Sequence, residues 1–336
     1  MKEGAGAPSA RPVHRRLCIA TITRARPGLL WNLLVSQAEL CMPENVDVQH
    51  LVVENGPSPT LGRLIEDFQQ LVPEARLHYR LERRLGIAYA RNHALEFAMG
   101  HGFDLLIFVD DDEVVNAAWL VELLAERDRG DYDIVGSPVR LASPASDLPF
   151  WNRVVWRGVN RINLETEKRF VRMKAEGRAD QIRIATGSWM GKLDFFRGTE
   201  LRFDEELGMA GGEDWKLWDE AKGLGARTSW TPSAIALEVY PHERLTLSYC
   251  YRRERDHARM VAWERIRQSR SRALRRLPGS IFSRAYKLVI AFVCFPFDHG
   301  KGLVTCARHA GTIVGFLQGS MGQKSNHYES VTGTNP

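Results

Sequence analysis

Asp104-Leu105-Leu106-Ile107-Phe108-Val109-Asp110-Asp111-Asp112-Glu113 sets a short apolar run directly against four carboxylates. Residues 104–109 (DLLIFV) read as a short buried strand. The adjacent carboxylates repel one another, a juxtaposition that is costly unless a cation neutralises it. Hard oxygen ligands suit Mg²⁺ or Mn²⁺, which are held by one or two carboxylates together with substrate phosphates. An acidic helix start would leave the same letters, because Asp and Glu favour helix N-termini. The place of the cluster at a strand end weighs toward the ligand site.

Outward from this stretch, the first 140 residues alternate apolar runs with helical patterns. Residues 17–23 (LCIATIT) and 46–54 (VDVQHLVVE) read as strands, 76–81 as a weaker one and 133–139 (DIVGSPV) as another. Between them, Pro27 opens a helix with Leu29, Leu30, Leu33 and Leu34 on one face, and Leu61, Leu64, Ile65, Phe68 and Leu71 form a helical stripe. Residues 87–99 and those from Trp119 continue the alternation. This βαβαβαβαβ order implies an α/β fold, a mostly parallel sheet flanked by helices on both faces. Ligands of such sheets bind beyond the carboxyl ends of the strands, so the loops after Thr23, Glu54 and Val109 carry the site. Regular pattern is lost over 143–181, read as an insertion or mobile lobe, and returns at 182–187. Glu213 to Ala221 looks helical, residues 227–239 hold one or two strands, and 244 to about 276 read as one long basic helix.

Composition bounds the alternatives. A chain of 336 residues, 44% hydrophobic and 26% charged, is long enough to bury a core without metals or disulfides. Five scattered cysteines with no CxxC spacing argue against a disulfide framework or a structural zinc site and favour a reducing compartment. The first 14 residues lack an apolar core behind their basic start and read as a disordered lead rather than a signal peptide. The longest apolar run, 288–297, is interrupted by Pro296 and is too short to cross a bilayer alone. The net charge of +5 is unevenly spread. Residues 251–287 hold twelve Lys/Arg against three Asp/Glu, a net of +9, which leaves the rest of the chain at −4.

Three further constellations carry chemistry. Gly211-Gly212-Glu213-Asp214-Trp215 lets the backbone approach a ligand and then presents two carboxylates at a helix start. A carboxylate there could accept a hydroxyl proton, although a turn with an N-cap would look the same. Gly86-Ile87-Ala88-Tyr89-Ala90-Arg91-Asn92 sets an arginine in the first turns of a helix near the ligand edge, where it could meet phosphate or simply face solvent. Glu54-Asn55-Gly56 places an acceptor at the end of the second strand.

In this order and spacing the segments resemble the family 2 glycosyltransferases of GT-A fold, in particular a bacterial polysaccharide-assembly branch. The resemblance runs from residue 17 to about 259. It rests on Ala20-Thr21-Ile22-Thr23-Arg24, on Glu54-Asn55-Gly56, on Gly86 to Asn92 as G-x-x-x-A-R-N, on Asp110-Asp111-Asp112 as the DXD, and on Gly212-Glu213-Asp214. Trp230-Thr231-Pro232-Ser233-Ala234 and the run from Glu238 to Arg244 match the branch's later motifs. The resemblance implies a nucleotide-sugar donor and a divalent metal (Mn²⁺ or Mg²⁺) at Asp110 and Asp112, with Asp111 beside them. It implies that Thr21, Thr23, Arg24, Glu54 and Arg91 hold the donor, and that Asp214 is the base with Glu213 close by. The second strand more often ends in Asp in that family, and Glu54 stands here instead.

The implied organisation is a transferase domain over 15–245, a basic and amphipathic helical region over 246–320, and a disordered tail over 321–336. Arg252, Arg253, Arg255, Arg259, Arg265, Arg267, Arg270, Arg272, Arg275 and Arg276 precede apolar segments, a pattern that suits an anionic membrane surface. The expectation is a cytoplasmic protein, peripheral at the inner face of the cell membrane, acting on a glycan or lipid-linked acceptor. Nucleic-acid binding is the other reading of the arginines, but no aromatics interleave with them as a stacking platform. A sugar nucleotidyltransferase would need a glycine-rich loop after the first strand, which Arg24-Ala25-Arg26-Pro27 lacks.

Overall fold

Strand and helix alternate as expected through the first four strands: β1 (Arg15–Thr23), α1 (Pro27–Ala38), β2 (Val46–Asn55), α2 (Gly62–Leu71), β3 (Leu77–Glu82), α3 (Ile87–Gly100) and β4 (Leu105–Val109). The computed structural model describes residues 15–207, 211–294, 298 and 300–323. The expected disordered lead lies outside the described residues, as do all but the first three residues of the expected tail and the last three of the apolar run 288–297. There follow β5 (Glu113–Val115), α4 (Trp119–Gly130), β6 (Ile134–Gly136), β7 (Val139–Leu141), α5 (Phe150–Ala175), β8 (Ser188–Lys192), α6 (Leu193–Thr199), α7 (Glu213–Gly223), β9 (Thr228–Trp230) and β10 (Ala236–Glu238). Three long helices close the described chain: α8 (Leu247–Gln268), α9 (Arg270–Cys294) and α10 (Lys301–Ser320).

A seven-stranded sheet has the order β3-β2-β1-β4-β8-β6-β9. Its pairs are parallel except at β8, which runs antiparallel to both β4 and β6. A second sheet, β5-β10-β7, sits beside the carboxyl end of β4 and sets Glu113 opposite Glu238. One face of the large sheet packs on α3 and α6 through Ala90, Ala94, Trp189 and Phe196. The other packs on α1 and α4 through Leu33, Trp119, Leu120 and Leu123. Trp119 is buried at the sheet because its indole N–H donates to Ser188 Oγ at 2.8 Å.

Four readings change. Residues 133–139 form not one strand but β6 and β7, which belong to different sheets. Pro138 stands between them and cannot donate to a ladder. The stretch that lacked pattern contains α5, a helix of 26 residues whose buried side is only Val155, Gly158 and Val159, too sparse among charges to show as periodicity. The long basic helix is two helices, broken where Ser269 turns extended (φ −164°, ψ 98°). Moreover, α9 is long and apolar enough to cross a membrane, by length and composition alone. Arg284 and Lys287 interrupt the apolar run in the sequence, whereas a helix carries them on one side.

The C-terminal helices are not a loose appendage. Val304 and Cys250 share a core with Leu141, Val155 and Val159. Helix α10 lies backbone to backbone on α8 because Gly311, Gly315 and Gly319 recur every fourth residue. A Cβ at any of the three would stand 2.2 Å from the carbonyl oxygens of Tyr251, Arg255 and Arg259 respectively. Small residues at this spacing let helices approach closely, and a side chain there must push them apart. Gly315→Val is expected to lower stability by about 3 kcal/mol in urea denaturation. Gly28→Ala, which meets nothing within 4 Å in α1, should be neutral or slightly stabilising. Equal midpoints for Gly315→Val and the parent would contradict the packing.

His50 on β2 is buried, with Nδ1 2.8 Å from Gln37 Oε1. Burial lowers its pKa to about 4. Between that value and the ordinary 6.5 the unfolded chain binds more protons than the folded one. The stability tied to neutral His50 is therefore complete above about pH 6.5 and is lost as pH falls toward 4. Buried carboxyl groups with raised pKa act in the opposite sense, so the effect is read as a difference. Between pH 7 and 5 the parent should lose about 2 kcal/mol more than His50→Gln in urea denaturation. Equal losses would contradict it.

Candidate active site

The loops at the carboxyl ends of β1 and β4 are tied together through Asp111. Thr23, the last residue of β1, donates from Oγ1 to Asp111 Oδ2 at 2.7 Å, and Arg26 Nη1 reaches Asp111 Oδ1 at 3.0 Å. The same Arg26 nitrogen lies 2.9 Å from Asp112 Oδ2. Arg244, just before α8, donates to that oxygen at 2.8 Å and stands 3.6 Å from Glu238. The Asp112 backbone carbonyl accepts from Val239 N at 2.7 Å, which anchors the Asp110–Asp112 run to the small sheet.

Arg91 joins the second carboxylate pair. From α3 it is ion-paired with Glu213 at the start of α7, and its Nη2 lies 3.3 Å from Asp110 Oδ1. Both members of the Arg91–Glu213 pair are buried. Two asparagines position this arginine. Asn55 at the end of β2 donates to the carbonyls of Glu82 and Arg84 at 3.1 and 2.8 Å and accepts from Gly86 N at 2.9 Å. It thereby fixes the α3 N-terminus, where Gly86 has φ +144°, a value that side chains rarely adopt. Asn92 donates to Phe203 O at 2.9 Å and accepts from Phe203 N at 2.8 Å, which clamps the segment before α7 to α3.

The remaining expected residues fall around this lattice. Thr21 is buried inside β1 and Arg24 is half-buried in the loop after it. Glu54 is buried at the end of β2, where Thr60 N donates to Oε2 at 3.0 Å and the Tyr79 hydroxyl donates to the same oxygen. It shapes the loop after β2 through Thr60 and Tyr79. Asp214 is half-buried one residue into α7, and its Oδ1 accepts from Trp215 N at 2.8 Å. It lines a cavity of about 1020 Å³ with Trp215, Arg253, His257 and Arg308. Arg26 had no role in the sequence reading, and Glu113 and Glu238 stood in quoted motifs without one. Arg26 stands two residues beyond the matched strand end, and Glu113 and Glu238 meet only because the small sheet pairs them.

The electrostatics follow from crowding carboxyl groups in protein. Burial raises the Asp111 and Glu213 carboxyls to about 7, against the pull of Arg26 and Arg91 respectively. Glu238 rises to about 8 through burial and Asp112. Glu113 is pushed well up by burial and then by Asp110, and Asp110 is raised by burial although Arg91 opposes it. Burial works against the charge of Arg244, but Asp112 outweighs it and the guanidinium pKa is raised.

The donor set fits a divalent cation of one kind. No group of three or more His, Cys, Asp or Glu forms a metal cage among the described residues. A Mg²⁺- or Mn²⁺-like ion that completes its shell with phosphate oxygens and water needs only one or two carboxylates. Here carboxyl groups outnumber guanidiniums, the Asp110 side chain remains 42% exposed, and Glu213 Oε2 is buried without a hydrogen-bond partner. Asp110 and Asp112 are the residues that would hold the ion.

Comparison with known proteins bears on the family and the fold. Residues 18–194, more than half of the chain, match glycosyl transferase family 2. The chain is 28% identical over 313 residues to the succinoglycan biosynthesis protein ExoM of Rhizobium meliloti (strain 1021), an alignment covering 89% of this chain and 92% of that one. In fold it is similar to the mannosyltransferase PcManGT from Pyrobaculum calidifontis in complex with GDP-Man and Mn²⁺. The TM-score is 0.60 at 16% identity, over 92% of this chain and 89% of that one. The strand-edge carboxylates, the GT-A sheet and the match over 18–194 meet in one statement: the chain is a glycosyltransferase and belongs to glycosyl transferase family 2.

Proposed function

We propose that the protein transfers a sugar, with inversion, from a nucleotide-sugar donor to a hydroxyl of a glycan or lipid-linked saccharide in surface polysaccharide biosynthesis. One observation carries this reading. The Asp110–Asp112 cluster lies at the strand ends, and the neighbouring Asp214 opens onto a cavity large enough for a saccharide. Donor and acceptor sides thus meet at one helix start. The relative named for succinoglycan biosynthesis supports the polysaccharide setting.

The residues divide the work by position. Thr21, Thr23, Arg24 and the loop held by Glu54 face the nucleoside end of the donor. Arg26, Arg91 and Arg244 supply positive charge where the diphosphate would lie. A divalent cation on Asp110 and Asp112 would offset the charge that builds on the departing nucleoside diphosphate. Asp214 takes the proton of the acceptor hydroxyl as that oxygen attacks the anomeric carbon from the face opposite the diphosphate. Its Oδ1 is already held by Trp215 N, which orients the carboxylate. Glu213, fixed by Arg91, holds the helix start in place. A single displacement of this kind inverts the anomeric configuration and needs no covalent enzyme intermediate.

Incubation with UDP-, GDP- and dTDP-sugars plus Mn²⁺ and membrane extract should release nucleoside diphosphate with one of the donors. Asp214→Asn is expected to lower that release by about 10³-fold while leaving donor binding within a few-fold. Transfer at the parent rate by Asp214→Asn would reject the base assignment, and absence of release with every donor would reject the reaction.

A further inference from the structure

Helix α9 exposes an apolar stripe that nothing among the described residues covers. Phe282, Tyr286, Val289 and Val293 recur at helical spacing on its outer side, with Phe282 75% and Val293 66% exposed, and Ile290 flanks them. The stripe extends for about 16 Å along the helix at 1.5 Å per residue. The opposite side is spoken for. Leu277 packs with Ala258, Ala262 and Phe316, and the Leu288 carbonyl receives the Cys306 thiol at 3.6 Å. The helix is therefore a two-sided element, protein on one side and bare hydrocarbon on the other.

Charge identifies what covers the bare side. Arg270, Arg272, Arg275 and Arg276 crowd the first two turns of α9, all exposed and none ion-paired among the described residues. Lys287 stands exposed beside the stripe. Cations not neutralised by the protein next to an apolar strip match a surface that is anionic outside and hydrocarbon within. A spanning arrangement fits less well. Arg284 and Lys287 fall inside the apolar segment, and each at a bilayer centre would cost a factor of about a hundred in partitioning. The α10 side would also have to part from its partner.

We infer that α9 docks the enzyme on an anionic lipid bilayer, lying in the interface with Phe282, Tyr286, Val289 and Val293 toward the acyl chains and the arginines of its first turns among the headgroups. This orientation has a geometric consequence. Arg284 of α9, with Arg308 and His309 of α10, also walls the cavity that contains Asp214. The acceptor side of the site is thereby held at the membrane, at the inner face of the cell membrane for a cytoplasmic enzyme. The docking surface does not depend on the transfer chemistry.

Flotation of the full chain with vesicles of phosphatidylcholine, with and without phosphatidylglycerol, tests it. The parent should float with the anionic vesicles and not with the neutral ones, and high salt should weaken binding. Combined Arg270→Gln, Arg272→Gln, Arg275→Gln and Arg276→Gln should lower partitioning about a hundredfold or more. Combined Phe282→Ser, Val289→Ser and Val293→Ser should abolish flotation. Both variants should keep the parent's unfolding midpoint and its release of nucleoside diphosphate with a soluble acceptor. No flotation of the parent, or full flotation of the serine variant, would overturn the proposal. So would a vesicle-free dimer that the serine variant dissolves, which would assign the stripe to a second copy of the chain. Loss of nucleoside diphosphate release with intact flotation would instead count against the reaction.

Discussion

Arg91 sits between two carboxylates that come from opposite sides of the ligand edge, Asp110 after β4 and Glu213 at the start of α7. Removing that guanidinium would leave a buried carboxylate without a counter-charge, a cost of several kcal/mol in comparable pairs. Arg26 and Arg244 impose the same constraint on Asp111 and Asp112. The three arginines come from the loop after β1, from α3 and from the segment before α8, so the chain must bring three distant regions together to neutralise one acidic cluster. The neutralisation is incomplete. Burial first, and neighbouring carboxylates after it, raise the carboxyl pKa values at Asp110, Asp111, Glu113, Glu213 and Glu238. A site of this kind is poised for a further cation and a phosphate ligand together.

The scaffolding around the cluster is built from hydrogen bonds that look unrelated to catalysis in the sequence. Asn55 and Asn92 use side-chain amides to satisfy buried backbone groups, which fixes both ends of the segment that carries Arg91. Glu54 has a similar use in the loop after β2. On the other side, the glycine face of α10 brings α8 close enough for the two helices to wall the Asp214 cavity. The basic C-terminal segment therefore walls the Asp214 cavity as well as carrying an exposed apolar stripe.

The order of strands β1 to β4 was legible because a helix with an apolar face, or with Pro27 at its start, stands between successive strands, and the ligand edge followed from the fall of Asp110 just past β4. The DXD and Gly212-Glu213-Asp214 segments were legible as carboxylates at element ends. What escaped were features that tertiary pairing decides. Glu113 opposite Glu238 requires the small sheet, whose strands are three residues each and leave no periodic signal. β8 runs antiparallel within a sheet that reads as parallel, since direction is not encoded in an apolar run. α5 left no periodic signal because its apolar contacts are few: Val155 and Val159 with Leu141 and the C-terminal helices, and Phe170 with Trp230. The glycine ladder at 311, 315 and 319 was visible as letters, but its meaning depends on α8 lying across it.

Calorimetric titration of the purified chain with nucleoside diphosphates, in Mn²⁺ and then in EDTA, tests the central claim most directly. If the strand-edge cluster is where the donor diphosphate binds together with a cation, one nucleoside diphosphate should bind at least about tenfold more tightly with Mn²⁺, a difference of about 1.4 kcal/mol. That difference should vanish in Asp112→Asn. Equal affinity in Mn²⁺ and EDTA, or a metal effect unchanged by Asp112→Asn, would contradict the account.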